Sequence, residues 1–265
     1  MFFDFFKKDK RHGYSLVLGG GGAKGFFHLG VIKAIRELNI KINEISGTSI
    51  GALVGAVYAA DPNFDIDYIV DDLTFFTVAD FIISKNNDKL ISKIEKRLKK
   101  YIKINDFKDF KIPFSFNATD INTGEEIIFK SGEIFPNIIA SMAIPSVFPL
   151  VKYNDRLLCD GGVLNNVPIS LLKDKKHSLI VSNLNFELKK IKDNSNSFDV
   201  LTNAYLIMQK AEMIESITNL KKIKDRKIFV IKLEKYFNLF DFRKTTIKKL
   251  VDLGYKVSME KLKNV

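Results

Sequence analysis

At 265 residues the chain can bury the core of one domain, or at most two, and its 46% hydrophobic and 28% charged residues are the balance of an ordinary soluble protein. The longest nearly unbroken apolar run, Ile50 to Ala60, is too short to span a bilayer and reads as a buried helix. Basic residues outnumber acidic ones 42 to 31, which favours anionic partners such as phospholipid head groups; nucleic acid is not expected, because no zinc-finger spacing or RNP-like aromatic motif is present.

The chain opens with Phe2, Phe3, Phe5 and Phe6, followed by Lys7, Lys8, Lys10 and Arg11. A secretory signal has the opposite order and a longer apolar centre, so residues 1–13 read as a tail. Such a tail could also seat its rings at a lipid interface beside anionic head groups. The lone Cys159 forms no internal disulfide, which fits a reducing compartment, and a cytoplasmic location is the expectation.

Tyr14 to Leu18 reads as a short strand running into the glycine-rich stretch Gly19 to Gly25. A helix follows, with Phe27, Val31, Ile35 and Leu38 on one face. A second strand, Ile42 to Ile45, leads into Gly47-Thr48-Ser49-Ile50-Gly51 and then the small-residue helix Ala52 to Ala60. Strand, sharp turn and helix around a G-x-S-x-G pattern is the arrangement of a nucleophile elbow, which lifts the serine hydroxyl clear of its own chain. Asp61-Pro62-Asn63 stops that helix. Ile66, Ile69, Val70 and Leu73 mark another, and Ile91, Ile94, Leu98 and Ile102 a third, so that residues 62–111 look like a helical insertion outside the central sheet. The segment Lys85 to Lys111 holds ten basic and four acidic side chains.

Ile112 to Thr119 alternates like a strand, Asn122-Thr123-Gly124 is a turn, and Glu126 to Lys130 is the hairpin partner. Glu133 to Ala143 reads as a helix with Pro136 near its start. Leu157 to Cys159 is a strand ending at Asp160-Gly161-Gly162, and Ser178 to Ser182 and Lys227 to Leu233 are buried strands. Helices of about Phe198 to Leu220 and Thr245 to Leu262 flank the last strand, and Lys221 to Lys263 is a second strongly basic region. This alternation is that of an α/β protein with a mostly parallel sheet covered on both faces.

Three short stretches carry chemistry. Gly20-x-Gly22-x-x-Gly25 fits a dinucleotide loop, but the second strand ends in Ser49 and no acid stands where a ribose would need one. Successive glycine N–H groups can equally hold an acyl oxyanion, and with Ser49 nearby that is the preferred reading, with Lys24 adding positive charge. Ser49 also needs a base. His12 lies in the tail and His28 inside the first helix, where a structural role is expected. His177 would complete a Ser–Asp–His order with Ser49 and Asp160, but it stands at the beginning of a strand, whereas the active groups of parallel sheets gather at the carboxyl ends. Asp160 is at that end, and burial together with the dipoles around the oxyanion would have to adapt a carboxylate to the task.

Gly20 to Gly25, Gly47 to Gly51 and Asp160 to Gly162, in that order, resemble the three motifs of the patatin-like phospholipases. The stretches His28–Val31, Ala118–Gly124, Ser141–Pro149 and Gly162–Pro168 resemble its bacterial branch. The resemblance covers about Tyr14 to Ser182, with Lys24 where many members have Arg. It implies a three-layer α/β/α acyl hydrolase with a Ser49–Asp160 dyad and no metal or cofactor. Gly20, Gly21, Gly22 and Ile50 would supply the oxyanion hole, supported by Lys24, Gly25, Gly47, Gly51, Gly161 and Gly162. The implied substrates are lipid acyl esters such as phospholipids and lysophospholipids, with peripheral contact to anionic membrane. The core would run from 14 to 183, with 184–265 packed on the same domain, and the motifs leave head group, chain length and oligomeric state open.

Overall fold

The computed structural model describes residues 13–72, 87–184, 188, 190–220 and 226–265. The aromatic and basic tail, with His12, lies outside them, as do Leu73 and Lys85 of the expected insertion. Strand β1 (Tyr14–Leu18) leads through a 3-10 turn, Gly22–Phe26, into helix α1 (Phe27–Glu37). Strand β2 (Ile42–Thr48) leads into α2 (Ile50–Ala60), and then come α3 (Ile66–Asp71) and α4 (Asn87–Leu98). The next strands are β3 (Phe114–Asp120) and β4 (Glu126–Phe129), followed by the short helix α5 (Asn137–Ser141). Strands β5 (Val151–Tyr153) and β6 (Arg156–Asp160) form a hairpin before β7 (Ser178–Leu184). Helix α6 (Ser197–Leu220), β8 (Ile228–Leu233) and α7 (Lys244–Leu262) complete the chain.

Strand β2 runs on past Ile45 to Thr48, β7 runs on to Leu184, and β3 starts at Phe114, so several boundaries shift by a few residues; one helix is shorter than expected and one strand is new. Helix α5 is confined to Asn137–Ser141 because Pro136 has no N–H to give and disfavours helical geometry in the residue before it. The three residues of β5 are too few to show a period in the sequence, and only pairing with β6 defines them.

The sheet is mixed and mostly parallel, in the order β5-β6-β3-β2-β1-β7-β8 with β4 also paired to β3. The contacts β1–β2, β1–β7, β2–β3 and β7–β8 are parallel, while β4, β5 and β6 join by antiparallel pairs. Alternate side chains of β1 and β7 enter two separate cores, as the period of a strand requires. Leu16, Leu18 and Ile180 pack under α1, α2 and α7, whereas Val17, Leu179 and Val181 pack with Leu206 and Met213 of α6. The result is a three-layer α/β/α arrangement in which β8 and α7 belong to the same sheet and core as β1.

Strand β3 brings the functional ends together. Its residues Ile45-facing Phe114 to Thr48-facing Asn117 pair with β2, and Ala118 to Asp120 pair with β6. Strand β4 overlaps both stretches and so must take the opposite edge of β3. Strands β2 and β6 therefore share one edge and run toward each other, with Thr48 opposite Asn117 and Asp160 opposite the next residue, Ala118. Two carboxyl ends meet there, one register step apart.

Candidate active site

Ser49 follows the last residue of β2 and precedes the first of α2, with φ 56° and ψ −126°. A non-glycine residue held there stores of the order of 1–3 kcal/mol of strain, which the surrounding packing must impose. Close backbone packing does so. A side chain at Gly51 would meet the Leu18 carbonyl oxygen at 2.1 Å, and one at Gly47 would meet the Gly51 carbonyl at 2.5 Å. Helix α2 thus starts directly against the end of β1, and only glycine fits.

The Ser49 hydroxyl donates to Oδ2 of Asp160 at 2.6 Å, although 111 residues separate them. Both are buried, at 4% and 1% exposure. The other carboxylate oxygen, Oδ1, accepts from the Gly162 N–H at 2.7 Å, and the Tyr205 hydroxyl also donates to the carboxylate. Burial, the largest influence, pushes the Asp160 carboxyl up to about 7, against the pull of these donors. Burial also drives Tyr205 well above its ordinary value, so it stays a neutral donor.

Around the pair, the Ser49 N–H donates to the Ser141 hydroxyl at 3.0 Å. Asn117 clasps the two motifs: its Oδ1 accepts from the Thr48 hydroxyl at 2.8 Å, and its Nδ2 donates to the Gly161 carbonyl at 3.3 Å. The glycine stretch begins level with the elbow, because Leu18 pairs with Gly47. The N–H groups of Gly19 and Gly20 already donate to the carbonyls of Ser182 and Asn166, each at 3.1 Å. Gly20 is therefore not an available oxyanion donor. Among the described residues the N–H groups of Gly21, Gly22 and Ile50 have no acceptor, and they remain free for a ligand. A side chain at Gly25 would strike Ile50 at 2.3 Å, so Gly25 sets how closely the loop approaches α2. Lys24 is buried at 3% exposure.

The histidines are elsewhere. His28 shares hydrogen bonds with Ser182 Oγ at 2.7 Å and the Gly19 carbonyl at 2.8 Å, tying the glycine loop to β7. Burial lowers it to about 4, so it is neutral. His177 meets Ser15, Asn43 and Asp174 beside the amino ends of β1 and β7, across the sheet from Ser49. That geometry removes the triad alternative.

Several partners are not evident from the motifs. Tyr205, Gln209 and Glu212 lie on one face of α6: Gln209 donates to the Tyr205 hydroxyl at 2.6 Å, and Glu212 accepts from the Asn166 N–H at 2.9 Å. Their i, i+4, i+7 spacing, a polar stripe on an apolar helix, is the signal that could reveal them. No cluster of potential metal ligands occurs among the described residues.

A family model described as patatin-like phospholipase matches residues 16–173, which include both motif strands, the glycine loop and Asp160. The chain belongs to the patatin-like phospholipase family. Among its relatives, a lysophospholipase NTE1 of Meyerozyma guilliermondii is 32% identical over 182 residues, covering 63% of this chain and 12% of that protein. A patatin-like phospholipase domain-containing protein of Caenorhabditis elegans is 33% identical over 179 residues, 60% of this chain and 12% of that one. An uncharacterized NTE family protein of Mycobacterium tuberculosis is 35% identical over 159 residues, 59% and 44% of the two chains. This patatin-like chain thus spans less than half the length of these curated relatives. Its fold is also that of VipD from Legionella pneumophila, with a TM-score of 0.52 at 15% identity over 95% of this chain and 67% of that one. The family match spans the whole glycine loop and replaces the nucleotide-binding alternative.

Proposed function

We propose that the chain is a serine acyl hydrolase that cleaves carboxylic esters of lipids, phospholipids or lysophospholipids, through Ser49 and Asp160. The observation that carries this reading is the 2.6 Å hydrogen bond from the Ser49 hydroxyl, held on a strained turn, to a buried carboxylate. Asp160 takes the hydroxyl proton as Ser49 Oγ attacks the ester carbonyl. A carboxyl lifted to about 7 is a far better match to that task than an ordinary one. The N–H groups of Gly21, Gly22 and Ile50 stabilise the oxyanion, the last from the positive end of α2. Collapse expels the alcohol, which takes the proton back from Asp160, and leaves an acyl-Ser49. Water, deprotonated by Asp160, then releases the fatty acid.

The family membership and the lysophospholipase name of a relative support lipid esters over other acyl donors. The test is turnover of a chromogenic fatty-acid ester and of mixed phospholipid micelles by the purified protein. Hydrolysis that disappears in Ser49→Ala and Asp160→Asn and persists in His177→Ala is expected. A wild-type protein that binds but never hydrolyses acyl esters defeats the reading.

A further inference from the structure

One buried side chain at the site has no bonding role in the fold. Asn166 is 0% exposed, and among the described residues neither its Oδ1 nor its Nδ2 has a hydrogen-bond partner. Its backbone is fully engaged, with the N–H on Glu212 and the carbonyl on Gly20. The loop is thus held by main-chain bonds while the carboxamide is left unpaired, an arrangement that costs stability.

Its position is defined by two glycines. A methyl group placed on Gly20 would lie 2.5 Å from Asn166 Oδ1 and 3.3 Å from Ser49 Cβ. One placed on Gly162 would lie 2.7 Å from the same oxygen and 3.0 Å from Asp160 Oδ1. The amide end therefore sits between the two motif loops, together with Gln209 Nε2, against the glycines that also approach Ser49 and Asp160.

We propose that the Asn166 carboxamide hydrogen-bonds the oxygen that departs in acylation and the water oxygen that replaces it in deacylation. This rests on the hydrolase reading above. In acylation the Ser49 Oγ–C bond forms, the C–O bond to the alcohol breaks, and the proton passes from Ser49 through Asp160 to the departing oxygen. In deacylation the water O–C bond forms, its proton passes through Asp160 to Ser49 Oγ, and the acyl–Oγ bond breaks. The leaving oxygen and the attacking water must occupy the same place, because each exchanges a proton with Asp160. The unpaired Nδ2 of a carboxamide held between the two loops can donate to either oxygen, and the oxyanion itself is served by the N–H groups of Gly21, Gly22 and Ile50.

The experiment compares wild type, Asn166→Ala and the near-isosteric Asn166→Leu on a chromogenic fatty-acid ester, with kcat, KM and Tm measured for each. Loss of one such donor typically lowers turnover by about 10²–10³. The expected result is a kcat lowered by at least tenfold with little change in KM, and a Tm equal to or above that of wild type. A kcat within threefold of wild type overturns the proposal. So does a lowered Tm, or failure of both variants to fold, since the amide would then serve the structure. An inactive wild-type protein would instead defeat the hydrolase reading itself and take this inference with it.

Discussion

Asp160 is where residue chemistry and stability conflict. Its folded-state pKa is raised, so the folded protein holds a proton that the unfolded chain releases. Stability is therefore lost as pH rises from the ordinary carboxylate value of 3.8 toward about 7, and the loss is complete above that. Asp160→Asn should abolish ester hydrolysis and raise Tm relative to wild type at pH 8, with the gain vanishing near pH 4; thermal melts across that range check it. Under the proposed mechanism the same value predicts that kcat/KM rises through about pH 7 as Asp160 ionises. Tyr205 donates to the carboxylate and so holds this value down. Tyr205→Phe should move the rising limb to higher pH and leave the activity at high pH largely intact. An unmoved limb would mean that the hydroxyl does not reach the carboxylate in solution.

At the scale of elements, β3 is the ruler that sets the distance between the elbow and Asp160, and Asn117 fixes both to it. Removing a buried polar partner of this kind costs about 1–3 kcal/mol. Asn117→Ala should lower Tm accordingly and reduce kcat more than it raises KM, because Ser49 and Asp160 lose their common anchor. A second dependence runs through α1 and α7. A side chain at Gly254 of α7 would meet the Phe27 carbonyl of α1 at 2.1 Å, so the two helices pack backbone to backbone. Overpacking such a contact costs about 1–3 kcal/mol. Gly254→Leu should destabilise the protein and also depress turnover, because α1 carries His28, whose ring holds the Gly19 carbonyl at the entry to the glycine loop. Urea titration alongside a soluble-ester assay separates the two effects.

For the whole molecule, the excess of 42 basic over 31 acidic residues has a place to act. Helix α4 and the turn after it bury Leu90, Ile94 and Leu98 and expose Lys89, Lys93, Lys96, Lys100 and Lys103. Among the described residues no helix is long and apolar enough to cross a membrane. We propose that the basic face docks reversibly on anionic lipid, with each cation near the surface adding up to about 1 kcal/mol, screened by salt. Cosedimentation with vesicles containing phosphatidylserine should be strong at low salt and should fall with added salt or with neutral vesicles. Equal binding to both vesicle types would remove electrostatic docking and leave the Ser49–Asp160 chemistry unaffected.

What is local was legible along the chain. Period-two and period-3.6 patterning marked most strands and helices, and glycines at 47 and 51 marked a turn only they could make. Three short motifs then carried the family, whose model covers residues 16–173. Which groups meet, and which donors stay free, depends on how the strands and helices come together. Gly20, Gly21 and Gly22 are identical in sequence, yet the N–H of Gly20 is spent on Asn166 because β1 ends beside that loop. Tyr205, Gln209 and Glu212 belong to a stretch without a motif, and they matter because α6 crosses the sheet face next to Asp160. Asn117 is one alternating residue of a strand until β2 and β6 converge on its edge. The physical reason is common to all three. A hydrogen bond needs two groups within about 3 Å, and local pattern does not encode partners that lie tens of residues or more apart.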